Sequence, residues 1–493
     1  MDLQHSTRIR GATAFLAIAA GLITFSSLEF MLVEIQSDFS MSADSTIVVS
    51  QVASGACLIA VFLAGALADR LGDRRVLVWA SGAFCVGAAI VGLSPYLVTL
   101  MLGLSVAGIG TIVMAIVGLS ILNKTFPAKE QRARAFGMFA VIAPAVSIVI
   151  PLLSSAIIPV ASWRTVTIVW ILVGLVTMML ARRTLQTTVV SSLRPELVTP
   201  ALAGVALAGL ALTFSFFSLT PRTATQVHRG LLSALAGVLA LAVLVVVMRR
   251  LPRPTLDLRS MRARGSLPVL AAILVVNGVN LFFFTYLLLQ YRYHQTLFET
   301  ALILIIPQVT AGIGAILGGR LSARWGSWRV AAVALAGAAI ASLGAFVVVA
   351  DSSAWVPIAV LSIAAFPIAA AVGPMTQSFM DLAPGDGAGS ASSVRNASVN
   401  LGIAVVGLLS GTLVFDELDA DTARNLEAYA QQADAFHLAG MLCSFAYVVA
   451  AVLVVLHARR RLSVSGIAPA ACAVPRPSST PPPLPSPSRA TPG

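Results

Sequence analysis

The chain has 493 residues, 58% of them hydrophobic and 11% charged, with a formal net charge of +12 and a mean hydropathy of +0.92. A water-soluble protein exposes too much of its chain for that composition, so the sequence is that of a polytopic membrane protein whose outer faces meet lipid. The basic residues are scattered through short loops between apolar runs, so the charge points to the bilayer as partner and no nucleic-acid partner is expected.

A membrane span needs about 20 apolar residues. Fourteen stretches qualify, at 12–33, 47–68, 76–95, 98–121, 136–158, 165–181, 200–219, 230–248, 267–289, 299–321, 330–350, 356–379, 396–415 and 435–457. The fold class predicted is all-α, with 14 transmembrane helices. The first stretch begins like a signal peptide, with a basic flank and small residues, but its apolar run continues to Val33. It reads as an uncleaved helix. It also carries Glu29, the one acid placed well inside the bilayer, where a carboxylate is costly and functional by default. Glu34, five residues on, is expected to be solvated.

Between the second and third helices stands GALADRLGDRRV (Gly65–Val76). Asp69 is predicted at a helix C-terminus, where the dipole favours cations. It therefore wants a partner, either an arginine or the N-terminus of another helix. The arginines of the stretch, Arg70, Arg74 and Arg75, are what any positive-inside turn would carry.

A second copy of the pattern, GRLSARWGSWRV (Gly319–Val330), lies between the tenth and eleventh helices. It keeps Gly319, Leu321, Arg324, Gly326 and Arg329 but places Ala323 where Asp69 stands. Equivalent positions for both copies require two six-helix halves with helices 7 and 8 inserted. The domains expected are residues 1–190, 191–265 for the insertion, 266–461, and a Pro-rich tail at 462–493 read as a disordered cytoplasmic extension.

Orientation follows from charge. With the N-terminus in the cytoplasm, every Lys and Arg except Arg164, Arg222, Arg229, Arg292 and Arg424 falls inside, Arg395 among them. Both termini are then cytoplasmic, in the inner (plasma) membrane. Only Lys124 and Lys129 are lysines, a bias typical of a GC-rich bacterial genome.

Polar residues inside the spans are few. Gln51, Asn277, Asn280, Gln308 and Asn400 are candidates to line a cavity, and each is equally read as an interhelical hydrogen bond. Phe282, Phe283, Phe284 and Tyr286 form an aromatic cluster on the ninth helix. Pro307, Pro357, Pro367 and Pro374 mark helices that bend. The pairs Gly314/Gly318 and Gly407/Gly411 mark close crossings. Cys57, Cys85, Cys443 and Cys472 have no ligand spacing, so no metal or cofactor is implied. No Walker loop, HExxH or nucleophile motif is present, so an enzyme is not expected.

The loop Gly65–Val76 resembles the motif G-x-L-x-D-R-x-G-R-R/K of the major facilitator superfamily, with Asp73 at a usually basic position. In that family the loop clamps the two halves together on the cytoplasmic side. The resemblance assigns Gly65, Asp69, Arg70, Gly72, Arg74 and Arg75 to the clamp and Gly319, Arg324 and Gly326 to its echo. The fourteen-helix form resembles the drug:proton antiporter branch, as do SWRTV at Trp163 and Arg164 and PGDGAGSASSVRNASVNLGIAVVG at Pro384–Gly407. Glu29 takes the place of the family's acid in the first helix and is expected to couple protons or bind cations.

Two departures stand out. Leu104 and Ala107 replace the arginine and glutamine of the fourth-helix motif, and the fifth-helix glycine motif survives as Pro151 with Ile150, Ser154 and Ser155. The function expected is a monomeric secondary transporter exporting small amphipathic, drug-like molecules by alternating access, with protons as second partner. The alternative is a facilitator or importer of a small metabolite without proton coupling.

Overall fold

The computed structural model describes residues 2–41, 43–186, 196–217, 224–250, 266–279, 281, 282, 285, 289, 293, 297–349, 352–382, 387–407 and 429–465. All regular structure among them is helical. The helices are α1 (Asp2–Asp38), α2 (Ala43–Leu71), α3 (Asp73–Gly92), α4 (Leu97–Thr125), α5 (Lys129–Ile157), α6 (Trp163–Thr184), α7 (Val198–Phe217), α8 (Ala224–Arg250), α9 (Leu267–Gly278), α10 (Ile305–Trp325), α11 (Ser327–Ser342), α12 (Trp355–Met380), α13 (Ala388–Leu401) and α14 (Tyr429–Ser465). A short helix, Leu297–Ile303, leads into α10, and a π-turn, Gly402–Gly407, continues α13. A chain in hydrocarbon must bond its own backbone, and helices do so within one segment.

Each of the fourteen apolar stretches carries one of these helices. Among the described residues twelve helices are long and apolar enough to cross a membrane; α9 and α13 are the two that fall short. α13 starts at Ala388, eight residues before the point hydropathy indicates, because its first two turns, AGSASSVRN, are small and polar. Such a sequence is unsuited to lipid, and Ala388, Gly389, Ser392, Ser393 and Arg395 are indeed buried in protein.

In the first half, α1 packs on α4, α5 and α6, α3 on α4 and α6, and α2 on α4. Trp163 and Trp170 are fully buried there. The Trp170 indole donates to Ser27 Oγ at 3.0 Å and stacks on Phe84 with centroids 6.1 Å apart, so α6 is tied to both α1 and α3. In the second half α12 joins α10 to α11, while α14 packs on α9 and α11. The inserted α7 and α8 cross at Gly209 and Gly237, and α7 lies along α2, where Gly204 touches the Ile59 carbonyl. Gln51 of α2 donates to Ser215 of α7. α8 is left largely to lipid, with Leu231, Leu235, Val238 and Val246 exposed.

The halves meet along two seams, α2 against α13 and α5 against α10 and α12. Lipid gives apolar side chains no reason to prefer a neighbouring helix, so close crossings of small residues hold such bundles together. A Cβ on Gly314 would collide with the Phe366 carbonyl, and one on Gly318 with that of Ala370. Gly411 lies outside the described residues. Replacing Gly314 by Ala is expected to destabilise the purified protein by about 1–3 kcal/mol, the usual cost of overpacking. A lower midpoint in detergent thermal unfolding checks this.

Candidate functional site

The loop between α2 and α3 marks one face of the bundle, here called the loop face. Asp69 stands in the last turn of α2 and its carboxylate reaches α13. It accepts from Gly389 N at 2.8 Å, from Ser390 N at 2.7 Å and from the Ser390 hydroxyl at 2.7 Å. Gly389 and Ser390 are the second and third residues of α13, whose first-turn amides have no partner within their own helix. A carboxylate is suited to that position by charge and by hydrogen bonding alike. Of the two partners the sequence allowed, the structure supplies the helix N-terminus.

The approach needs glycine on both sides. A Cβ on Gly65 would run into Ser393 Oγ and the Gly389 carbonyl, and one on Gly389 would lie 2.7 Å from Asp69 Oδ1. Ser393 closes the contact: its hydroxyl donates to the Val61 carbonyl at 2.7 Å and accepts from Gly65 N at 3.0 Å.

Beyond Asp69 the loop also ties its own half together. Gly72 turns the chain with φ +87°, a conformation that side chains resist. Asp73 then opens α3, accepts from Ser120 at 3.2 Å and pairs with Lys124 at 2.9 Å. This explains an acid at a usually basic position: it ties α3 to α4. Arg74 and Arg75, with Val78, Trp79 and Arg182, line a shallow recess of about 230 Å³. Arg70 lies half-buried in the last turn of α2.

The echo repeats the backbone and drops the acid. Gly326 has φ +89°, matching Gly72. Gly319 sits on Gly137 of α5, with an added Cβ 2.6 Å from Gly137 Cα, as Gly65 sits on Gly389. Arg324 is exposed in the last turn of α10. The difference at residue 323 has a physical reason. Gly389 is the second residue of its helix, with a free amide, whereas Gly137 lies eight residues inside α5, where amides are already bonded. A carboxylate in place of Ala323 would find no such donors. On this seam the polar link is instead Arg132 of α5, which donates to Asp381 at the end of α12 at 2.9 Å and to the Phe126 and Pro127 carbonyls.

The remaining candidates are dispersed. Asn277 and Asn400 each donate to the carbonyl four residues back in their own helix, Ile273 and Asn396. Gln308 is half-buried on α10. Pro151 is buried within an unbroken α5. Asn280, Phe283, Phe284, Tyr286 and the side chain of Glu29 lie outside the described residues. Leu104 and Ala107 are fully buried. Nothing in the sequence marks Ser393 or Asp381, which are ordinary residues until their partners are known, and Arg395, expected in a cytoplasmic loop, lies buried in α13.

At the opposite face Asp38 ends α1. It accepts from the Trp163 indole at 2.7 Å and pairs with Arg164 at 2.6 Å, while Arg164 stacks over the Trp163 ring at 4.4 Å. The Trp163 hydrogen bond, and then Arg164, hold the Asp38 carboxyl below its ordinary value of 3.8.

The two helical halves close against each other through paired loop-and-helix contacts, and the comparisons with known proteins make the chain a transporter rather than an enzyme. Residues 14–407 match the Major Facilitator Superfamily, and the chain belongs to that family. It is 27% identical over 366 residues to the methylenomycin A resistance protein of Streptomyces coelicolor, covering 73% of this chain and 76% of the relative. It is 25% identical over 406 residues to the multidrug resistance protein Stp of Mycobacterium tuberculosis, covering 80% of this chain and 73% of that protein. In fold it is similar to the human organic anion transporter MFSD10 (TETRAN), with a TM-score of 0.62, 13% identity, and coverage of 91% of this chain and 99% of the other.

Asp69→Asn removes the charge and turns an acceptor group into one that also donates toward donors. It is expected to open the loop face. Spin labels on Arg134→Cys and Arg320→Cys, both exposed and on opposite halves, should then show a longer distance distribution than with Asp69 intact. The Asp38 link behaves differently. A depressed carboxyl contributes stability above its unfolded value and loses it as pH falls through the lower folded value. Arg164→Gln should therefore raise the Asp38 pKa toward 3.8, as read by carboxyl NMR titration.

Proposed function

We propose that the chain is a secondary active exporter of the bacterial plasma membrane that moves small amphipathic, drug-like molecules outward in exchange for protons. The observation that carries this reading is closure of both seams at one face, by Asp69 on the α13 N-terminus and by Arg132 on Asp381. Closure of both seams at one face is what an alternating-access cycle requires of one end state. The positive-inside skew makes the loop face cytoplasmic, with both termini on that side. The clamp role of Gly65, Asp69 and Gly72 follows from it. The relatives' names, methylenomycin A resistance and multidrug resistance, favour antibiotic or drug export.

Glu29 is the proposed coupling group. Its place in α1 and the cost of a charged carboxylate in hydrocarbon, on the order of 2.5–3.5 kcal/mol on insertion scales, support a proton-carrying role. The buried Leu104 at the position of the family's arginine favours a second reading, a facilitator of a small metabolite without proton coupling.

One substitution separates the two. In proteoliposomes Glu29→Gln should abolish uphill flux driven by a pH gradient while leaving downhill flux, and Glu29→Asp should keep part of the uphill flux. Unchanged gradient-driven flux in Glu29→Gln would favour the facilitator.

A further inference from the structure

Arg395 brings a full charge into the interior and meets no carboxylate among the described residues. It is the eighth residue of α13, six residues past Gly389 and so about 9 Å along the helix from the Asp69 contact, at 1.5 Å per residue. It is 9% exposed. Its Nη2 donates to Thr376 Oγ1 of α12 at a long 3.5 Å, and its Nε has no hydrogen-bond partner among the described residues. Its guanidinium carbon lies over the Phe139 ring of α5, 5.3 Å from the centroid. The ion pairs among the described residues involve Lys124, Arg132, Arg164 and His437, and none includes Arg395.

An aromatic face and one stretched neutral hydrogen bond compensate a buried guanidinium only in part. A charge kept in such a place is normally matched by something that is present for part of a working cycle. Its surroundings identify when. Phe139 belongs to the first half, whereas Thr376 and Arg395 belong to the second. The three therefore straddle the seam that parts when the loop face opens. Phe139 is half-exposed and packs edge-on against Phe136, with centroids 6.2 Å apart. Charge and aromatic surface thus stand side by side just above the clamp.

We propose that Arg395 is the anion-binding group of the substrate site, taking the carboxylate of an amphipathic molecule whose apolar body rests on Phe139. The planar guanidinium matches a carboxylate edge to edge. No second cation is paired into the same place among the described residues, so a monoanion fits the charge better than a phosphate dianion. This assignment rests on the export reading and adds the chemical class of the cargo.

The test uses the full chain in phosphatidylcholine nanodiscs, where no lipid headgroup carries net charge. Isothermal titration compares 1-pyrenebutyrate with its uncharged amide, 1-pyrenebutyramide. Wild type should bind the acid at least tenfold more tightly than the amide. Arg395→Gln should bring the two within twofold, and Arg395→Lys, which keeps the charge and controls for loss of fold, should retain a several-fold preference. Equal affinities in wild type, binding of neither probe, or a preference that survives in Arg395→Gln overturns the assignment. Failure of the export reading shows separately: acid bound through Arg395 but never moved uphill in proteoliposomes leaves the assignment standing and removes export.

Discussion

The bundle depends on one carboxylate reaching across to the free amides of a helix that begins inside the protein. Asp69 alone among the described acids of the first half touches the second through backbone amides, and the contact exists only because two glycines let α2 and α13 approach at backbone distance. Charge, hydrogen bonding and shape are satisfied by the same three residues, Asp69, Gly389 and Ser390. In a medium of low dielectric and little water these terms are stronger than at a soluble protein's surface. They also vanish together when the helices part, because a carboxylate withdrawn from α13 must find water. Parting the helices would therefore remove all three terms at once rather than one by one.

The pseudo-repeat shows how one device was kept in shape and altered in chemistry. Gly72 and Gly326 bend the chain alike, and Gly65 and Gly319 each lie against a glycine of the other half. Yet the acid is confined to the first copy, because only α13 starts at the height of the crossing. On the other seam α5 runs two further turns toward the loop face, and the electrostatic link moves out to Arg132 and Asp381. The repeat fixes geometry, and the starting point of the receiving helix decides which side chain is useful.

Much of this was legible in the chain. Long apolar runs, loop charges and the local spacing of Gly65, Asp69 and Gly72 are short-range signals, and they place the helices and the loop. The misplacement of Asp69 at a helix C-terminus implied a partner before any partner was visible. What sequence could not supply was long-range: Ser390 lies 321 residues from Asp69, and nothing local marks it. The start of α13 was misplaced because hydropathy measures suitability for lipid, while that segment is enclosed by protein and is free to be polar. The same error put Arg395 in a solvated loop. Gln51, read as cavity lining or a hydrogen bond, bonds to Ser215 of the inserted α7, a pairing that needs the fold to be known.

The inserted pair α7–α8 has a consequence for how the two seams meet lipid. α7 lies along α2 and also touches α13 and the π-turn Gly402–Gly407, so it covers the flank of the Asp69 seam. The matching flank, between α5 and α10, has no such cover among the described residues. Among the described residues the two seams therefore present unlike walls to the lipid: one flanked by an inserted helix beside α2 and α13, the other not. Parting of the two halves would therefore open the α5–α10 seam toward lipid with no inserted helix in the way, whereas the α2–α13 seam would open behind α7.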